Sequence, residues 1–501
     1  MRSSFMVLLL LLSFFSFTQS KRQQLSEYYS VKRTSATADF KWSEDSIKSL
    51  KSNKILNGFY NEYWILSEDT NYKFRIKPLF NISLGEAWEN TRGIHLEARI
   101  NDKISVESSF RESQSKPMDY VVSFVDQTRV YPSFGRTRPY NEGGFDYSQS
   151  RAIVNLQANK VFTLELGYDN QFIGNGFRSV ILDQSNYNYA YFLMQTKIGK
   201  IKYSNLYTKF LSLEHKVSPT DGYLGKFGSF QILEWNATKK LNLSLIQGII
   251  QGNDSTAVRR GLDFNYWNPV IFVRPMEYAM GSPDNALIGL NISFKLNDHI
   301  MFYSQALVDD INVSELKNFN NYFQQKFAGQ LGVKGEWIKN NWRVYSGLEV
   351  NASRPYVFAH KYTVQNYTHL GEPIAHQLGA NFMEGVAWIG THWKESHQVN
   401  LLVDYYHQGM DADSISYGSN IFISDFNSVN GELSEGNEFL QGSLRKVLNL
   451  SLQYRYMLSP KNDMSIGLKY VYREQTGFQS SVENNFRIVF SSNIFRENEV
   501  F

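Results

Sequence analysis

The chain has 501 residues, a formal net charge of +3, no cysteine and 15% aromatic residues, and its mean hydropathy is −0.37. A charge this close to neutral gives no basis for nucleic-acid binding, and the lack of cysteine excludes disulfide bonds and a lipidated cysteine anchor. No segment beyond the N-terminus approaches the ~20 consecutive apolar residues of a membrane-spanning helix, which excludes a helical membrane protein.

The first residues of the chain have the pattern of an export signal. Arg2 supplies a positive start, residues 7–17 form an apolar core, and residues 18–20 give a small-residue exit. Because the core is too short for an anchor, residues 1–20 are predicted to be a cleaved signal peptide. Residues 21–72 are then predicted to be a short periplasmic N-terminal extension, in which 43–56 is either a short helix or a disordered tail.

From residue 73 onward, apolar residues recur at every second position in successive segments. A period of two gives a strand one apolar face and one polar face. About 18 such segments can be counted, and an even number is expected for a single-chain bacterial barrel. The predicted strands lie at 74–84, 94–100, 104–111, 151–158, 161–170, 189–198, 201–211, 225–236, 241–251, 287–296, 300–309, 326–337, 342–352, 384–394, 397–407, 448–456, 464–473 and 486–494.

The last three segments indicate what each face contacts. In 464–473, the apolar positions end in Tyr470 and Tyr472, and the polar positions include Lys469 and Arg473. A soluble sandwich would bury the apolar face, whereas an aromatic-ended apolar face opposite a charged one is typical of lipid outside and a wet lumen inside. Residues 73–501 are therefore predicted to be an all-β, transmembrane antiparallel β-barrel with extracellular loops.

The connections between these strands fall into two classes. One class is short and rich in turn residues, such as 101–103 and 297–299. The other is nearly always longer, as expected for outer loops: about 113–150, 171–188, 212–224, 252–286, 310–325, 353–383, 408–444 and 474–484. The alternation predicts that both termini are periplasmic and that long loops plug the outer mouth of the barrel.

Several runs of residues resemble a known family. The most specific is Phe172–Ser179, and others are Gly144–Tyr147, Tyr189–Phe192, Ile201–Asn205, Arg274–Glu277, Gly281–Asn285, Pro373–His376 and Gly379–Asn381. Over most of the mature chain, the sequence resembles the Wzi-like capsule-assembly outer-membrane proteins, closest to the RemB branch of gliding Bacteroidetes. The resemblance implies an 18-stranded barrel with a loop-filled outer mouth, lectin-like attachment of surface polysaccharide, and a contribution to gliding motility.

The long loops carry aromatic and arginine side chains that could contact such a polysaccharide. Aromatic faces stack on sugar rings, and arginine forks bind carboxylates in a bidentate way. The alternative is that these residues pack and pin the plug. The candidate glycan contacts are Arg136, Arg138, Tyr140, Phe177, Arg178, Trp267, Arg274, Tyr278, Arg354 and Tyr356.

No catalytic or metal-binding pattern is apparent. Gly174-Asn175-Gly176 lacks the residues of a phosphate loop, and the spacing of His360, His369 and His376 matches no metal signature. The sequence thus predicts a non-enzymatic cell-surface protein without cofactor that binds or organises exopolysaccharide or capsule. Its expected partners are polysaccharide, outer-membrane lipid and gliding or envelope proteins. The alternative is an outer-membrane diffusion channel or substrate-specific porin.

Overall fold

The structure is a computed structural model. It describes residues 31, 34–37, 65–69, 71–101, 103–141, 143–216, 222–252, 263–269, 279, 284–310, 321–394, 396–412, 415–426, 434–459 and 463–492. The predicted signal peptide and the predicted helix at 43–56 lie outside these residues.

Strands account for nearly all regular structure in the described chain. One helix, α1 (Asp119–Thr128), lies in the first long loop, as the run of apolar residues there indicates. The strands are β1 (Ile65–Glu68), β2 (Tyr72–Gly85), β3 (Trp88–Ile100), β4 (Ile104–Lys116), β5 (Val130–Tyr131), β6 (Gly135–Arg136), β7 (Arg138–Tyr140), β8 (Gly144–Gln157), β9 (Phe162–Asp169), β10 (Tyr189–Ile198), β11 (Ile201–Lys216), β12 (Tyr223–Asn236), β13 (Leu241–Gln251), β14 (Asn285–Lys295), β15 (Ile300–Asp310), β16 (Lys326–Lys339), β17 (Trp342–Ser353), β18 (Thr368–His369), β19 (Glu372–Pro373), β20 (Phe382–Trp393), β21 (His397–Met410), β22 (Ser443–Ser459), β23 (Met464–Gly477) and β24 (Ser481–Ser492).

The main sheet closes on itself as a barrel. It contains 20 strands, and without the short β1 and β7, which flank β2 and β8, 18 long antiparallel strands remain. The seam is the pairing of β2 with β24, which runs from Phe80 opposite Ser492 to Gly85 opposite Arg487. The predicted fold class and number of strands are confirmed.

The two faces of the strands follow the predicted alternation. On β22 and β23, Leu452 and Tyr470 are 43% and 37% exposed on the outer wall, whereas Lys469 and Val471 are 9% and 6% exposed toward the lumen. Among the described residues, no helix has the length and hydropathy of a membrane-spanning helix.

One side of the outer wall departs from the apolar pattern. Asn205, Gln231 and Gln247 share one outward row across β11, β12 and β13, and all three are buried. Just above them, a 3-10 turn from Phe264 to Trp267 covers the same face. In these three strands, polar residues therefore occupy outward positions at which the alternation predicts apolar ones.

The strands are longer than the hydrophobic pattern predicts. The expected outer loop at 474–484 is only a tight turn at 478–480, because β23 continues to Gly477 and β24 begins at Ser481. Residues such as Glu474 and Val482 still pair across these strands. Alternation in hydropathy is needed only where lipid covers the wall, so it cannot mark strand ends that extend beyond the lipid.

The assigned faces lead to a graded prediction on β22. Leu452 lies four residues along the strand from Tyr456, which belongs to an outward row of aromatic side chains near the turn. Leu452→Arg is expected to destabilise the barrel by roughly 2–4 kcal/mol, and Tyr456→Arg by about 0–1 kcal/mol, because the cost of a lipid-facing charge falls toward the interface. Unfolding by urea in lipid vesicles measures both free energies.

The control for this pair is Ser451→Ala, which shortens a buried side chain on the lumen face of the same strand. It should cost less than Leu452→Arg. Equal costs for the two arginine variants would contradict the assigned depth of the lipid-facing belt.

Candidate functional site: the plugged lumen and the outer surface

The lumen is filled by connections that fold inward between the strands. Residues 170–188 and 354–381 contribute Ile181, Leu182, Phe358 and Tyr367, among others, to one buried cluster. Inward wall residues complete this cluster: Phe210, Phe230, Ile246 and Leu287. Each large apolar side chain buried in this way contributes about 1.5–3 kcal/mol, so the loops form a packed plug and are not loose covers.

The plug reaches the far wall through the sequence Gly174-Asn175-Gly176. Gly174 has φ +149°, and a Cβ atom there would lie 2.5 Å from the Gln305 side chain. A Cβ atom at Gly176 would overlap the Glu349 carboxylate. Lys334 donates to the Asn175 carbonyl at 2.7 Å. The positive φ of Gly174 and the close approach of both residues to wall side chains favour glycine at these two positions.

Phe177 and Arg178 follow this tip and point into the barrel. Their backbone N–H groups donate to Glu349 at 2.7 and 3.0 Å. The Phe177 ring stacks on Trp388 with centroids 5.5 Å apart, and the Arg178 Nε atom lies 3.6 Å from a carboxylate oxygen of Glu384. Both candidate glycan contacts thus hold the plug against the wall.

A segment of the predicted N-terminal extension also enters the lumen. The Glu234 carboxylate accepts hydrogen bonds from the backbone of Ala36 at 2.8 Å and Thr37 at 3.3 Å. Lys202 pairs with Glu234 at 3.1 Å and donates to the Thr37 carbonyl at 3.0 Å. The N–H of Gly174 donates to the Ala36 carbonyl at 2.9 Å, so this segment touches the plug tip. The sequence pattern gave no signal for this contact.

Glu372 joins three connections of the plug. Its carboxylate accepts hydrogen bonds from the backbone N–H groups of Ser133 at 2.6 Å and Tyr187 at 3.1 Å. These donors belong to 117–143 and 170–188, whereas Glu372 lies in 354–381. Burial raises the pKa of this carboxyl from its usual value to about 8, and the two backbone donors only partly oppose this shift.

The candidates Arg354 and Tyr356 are also buried. Arg354 donates to the Asn437 carbonyl at 2.9 Å and lies 5.2 Å from the centre of the Phe327 ring. The Tyr356 hydroxyl donates to the Ser416 carbonyl at 3.0 Å. Their burial favours the packing interpretation.

Three candidates from the first long loop remain at the outer surface. Arg136 and Arg138 are exposed, and the Arg136 guanidinium lies 5.3 Å from the centre of the Tyr223 ring. Tyr140 is half-buried and meets Trp88 edge to face at 6.3 Å. These side chains are available to a ligand from outside.

Lys361, Tyr362 and Phe426 form a second exposed cluster, which the sequence analysis did not predict. The Lys361 ammonium lies 5.1 Å from the centre of the Phe426 ring and 5.7 Å from that of Tyr362. Both rings are over 40% exposed. Tyr362 could be placed in the correct loop from sequence, but Phe426 lies in another loop, and no sequence pattern joins the two.

The candidate Trp267 does not face the mouth. Trp267 lies on the outer wall: its ring stacks on Tyr207 at 4.6 Å, and its carbonyl accepts from the Tyr207 hydroxyl at 3.0 Å. Its predicted place in the plug is therefore wrong, because the turn at 264–267 folds down the outside of β11 and β12. Arg274 and Tyr278 lie outside the described residues.

The loop histidines have structural partners. His369 accepts from the Leu211 N–H through Nδ1 at 3.0 Å, and its Nε2 atom lies 3.1 Å from the Asn188 carbonyl. Burial lowers the pKa of His369 to about 3, which keeps the ring neutral. In the part of the chain that the structure describes, no three His, Asp or Glu side chains are grouped to hold a metal ion.

Fold and site together define a class: a closed 18-stranded barrel of the outer-membrane type, whose lumen holds a folded plug. No protein-family model and no curated protein matches the sequence. Among solved structures, the chain is similar to Wzi of Escherichia coli, an outer-membrane protein involved in group 1 capsule assembly and a carbohydrate-binding β-barrel. The TM-score is 0.54 at 13% identity, and 83% of each chain is covered.

Other solved structures match with lower scores, among them the outer-membrane protein OprD. OprD of Pseudomonas aeruginosa matches with a TM-score of 0.43 at 9% identity over 86% of this chain and 96% of that one. OccAB2 of Acinetobacter baumannii matches with a TM-score of 0.41 at 9% identity over 84% and 97%. At these identities, the similarity to Wzi establishes the fold. The predicted resemblance to Wzi is confirmed to that extent.

The raised pKa of Glu372 predicts how the plug responds to pH. Because its folded pKa of about 8 exceeds the usual 4.5, its contribution to stability is fully present below about pH 4.5. It is lost as the pH rises through 8, by up to about 1.4 kcal/mol per unit. Limited proteolysis of the loops monitors unfolding of the plug by urea. The urea concentration at the midpoint of unfolding should decrease as the pH is raised from about 4.5 to 8.

Glu372→Gln should flatten that profile, since an amide does not titrate but its oxygen can still accept a hydrogen bond. Glu112→Gln, at an exposed carboxylate, is the matched control and should keep the wild-type slope. A wild-type slope in Glu372→Gln would assign the pH dependence to another group.

Proposed function

We propose that this protein is a non-enzymatic outer-membrane surface protein that binds or organises exopolysaccharide or capsule. The observation that carries the proposal is the division of the candidate side chains: some pin a packed plug in the lumen, and others are exposed above it. A plug that is tied to the wall by Glu349 and Lys334 suits a rigid binding surface better than a route for solutes.

The proposed topology follows the sequence analysis. Residues 1–20 act as a cleaved signal peptide, 21–72 as the periplasmic extension, and 73–501 as the barrel, with both termini periplasmic. Glu234 and Ser293, which contact the N-terminal segment, lie close to the short turns at 237–240 and 296–299. This position supports entry of that segment from the periplasmic side.

The proposed glycan contacts are the exposed members of the candidate set and their neighbours. Arg136 and Arg138 would bind carboxylates of an acidic polysaccharide, and Tyr223 and Tyr140 would stack on sugar rings. Lys361, with the rings of Tyr362 and Phe426, forms a second contact of the same chemistry. Phe177, Arg178, Arg354 and Tyr356 would act indirectly, by holding the loops that carry these residues.

The similarity to Wzi supports this assignment, since Wzi is described as a carbohydrate-binding barrel involved in capsule assembly. We further propose a contribution to gliding motility, with gliding or envelope proteins as partners; this part rests only on the expected resemblance to the RemB branch of gliding Bacteroidetes. Deletion of the gene should reduce the surface polysaccharide and the spreading of colonies. Normal polysaccharide and normal spreading in the deletion strain would refute both roles.

The arginine pair provides a direct test of binding. Arg136→Ala/Arg138→Ala should weaken binding of an acidic polysaccharide at least tenfold, because a hydrogen bond to a charged group contributes about 1.5–3 kcal/mol. Microscale thermophoresis with purified protein in detergent measures the dissociation constant. Added salt should weaken binding to the wild type more than to the double variant.

Lys239→Ala is the matched control, since Lys239 is an exposed cation in the turn at the opposite end of the barrel. It should leave the affinity unchanged. If Lys239→Ala lost as much affinity as the arginine variant, the polysaccharide would be attracted by the overall charge of the protein and would not bind a defined surface at Arg136 and Arg138.

Conductance separates the proposal from the porin alternative. Purified protein in a planar bilayer should give no steady conductance, because the plug and residues 34–37 occupy the lumen. Steady channels in the wild type would favour the porin.

A further inference from the structure

The outer wall of the barrel has a depression across β15, β16, β17, β20 and β21. It has a volume of about 460 Å³ and is bordered by Ile300, Gly335, Trp337, Ser346, Leu348 and Ala387, together with other outward residues. Ligand pockets typically measure about 300–1,000 Å³, so this groove is large enough for a defined occupant.

Small residues form the floor of the groove. Gly335, Ser346 and Ala387 occupy two adjacent outward rows, in which Gly335 pairs with Ser346 and Leu348 pairs with Ala387. Larger side chains stand around them, and Trp337 and Leu348 are 42% and 60% exposed. The wall is therefore locally thin and apolar where a bilayer would cover it.

A row of aromatic and basic side chains lies at the periplasmic end of the groove. Trp342 and Trp393 pair in register and stack with centroids 5.5 Å apart. Lys339 lies opposite Trp342 in register, and the Lys394 ammonium lies 4.8 Å from the centre of the Trp393 ring. Both lysines are exposed. Tryptophan belts mark the level of lipid headgroups, and lysines there present a positive charge to phosphate.

The distance between the row of tryptophan and lysine side chains and the groove matches the length of one lipid molecule. Trp342 and Ser346 are four residues apart on β17, and a strand rises about 3.4 Å per residue, which places the groove roughly 14 Å from the headgroup row. We propose that this face binds one phospholipid of the periplasmic leaflet, with its phosphate at Lys339 and Lys394 and an acyl chain over Gly335, Ser346 and Ala387.

Two features of this face, its apolar groove and its lysines, together favour a phospholipid as the occupant. The groove itself is lined mostly by apolar groups, which suit an acyl chain, whereas the adjacent exposed lysines attract an anion. A phosphodiester joined to a long acyl chain meets both requirements. The inference depends on the proposed orientation in the membrane, but it does not depend on polysaccharide binding.

Native mass spectrometry of the full-length barrel, released from nanodiscs of phosphatidylethanolamine and phosphatidylglycerol, tests the site. The wild type should retain one phospholipid. Ser346→Leu/Ala387→Leu, which fills the floor, should reduce that retention at least tenfold. Ala306→Leu, at an exposed outward position on β15 away from the groove, should retain the lipid like the wild type.

The headgroup contact is tested separately with Lys339→Ala/Lys394→Ala, which leaves the strands intact. This variant should retain phospholipid no better than it retains diacylglycerol, whereas the wild type should favour the phospholipid at least fivefold. Heat-modifiable migration on gels verifies that each variant is folded.

Unchanged retention in the floor variant, or equal loss in Ala306→Leu, would overturn the site. Equal retention of phospholipid and diacylglycerol by the wild type would overturn the phosphate contact. None of these measurements uses polysaccharide, and failure of the proposed function would appear instead in the thermophoresis of the arginine variant.

Discussion

Closure of the sheet is the constraint on which the rest of the structure depends. A membrane offers no hydrogen-bond partners to a free strand edge, so β2 must pair with β24 and the strands must form a ring. A ring of 18 strands encloses a lumen too wide for its own side chains to fill. The chain must therefore leave a channel or bring other segments inside, and the described loops show the second solution.

Irregular backbone within the lumen carries N–H groups that need acceptors. Three buried glutamates meet this need in the same way. Glu234 accepts from the backbone of Ala36 and Thr37, Glu349 from Phe177 and Arg178, and Glu372 from Ser133 and Tyr187. Glu234 and Glu349 are wall residues, and Glu372 lies within the plug. The two oxygens of one carboxyl group can accept from two neighbouring donors, so a single side chain meets the need of two backbone N–H groups.

The sequence predicts the barrel well because a lipid-facing strand must alternate, and the pattern of Ile466, Leu468 and Tyr470 reports that need residue by residue. It fails where a different partner covers the strand, as at Asn205, Gln231 and Gln247 on the outer wall. It also fails for the plug. Arg178 and Arg136 are both loop arginines near aromatic residues, yet one is buried against Glu384 and the other is exposed beside Tyr223. Contacts over long sequence distances decide between them, and no local pattern encodes such contacts.

The two exposed clusters, around Arg136 and around Lys361, are held in place by the buried plug. Arg136 lies in the same short hairpin as Ser133, and Lys361 lies in the same connection as Glu372. One carboxylate therefore ties together the two loops that present the proposed glycan contacts. Holding both surfaces in place before a ligand arrives lowers the entropy that binding must overcome. A repeating polymer that contacts both clusters gains most from this arrangement, because its second contact follows the first without further ordering of the protein.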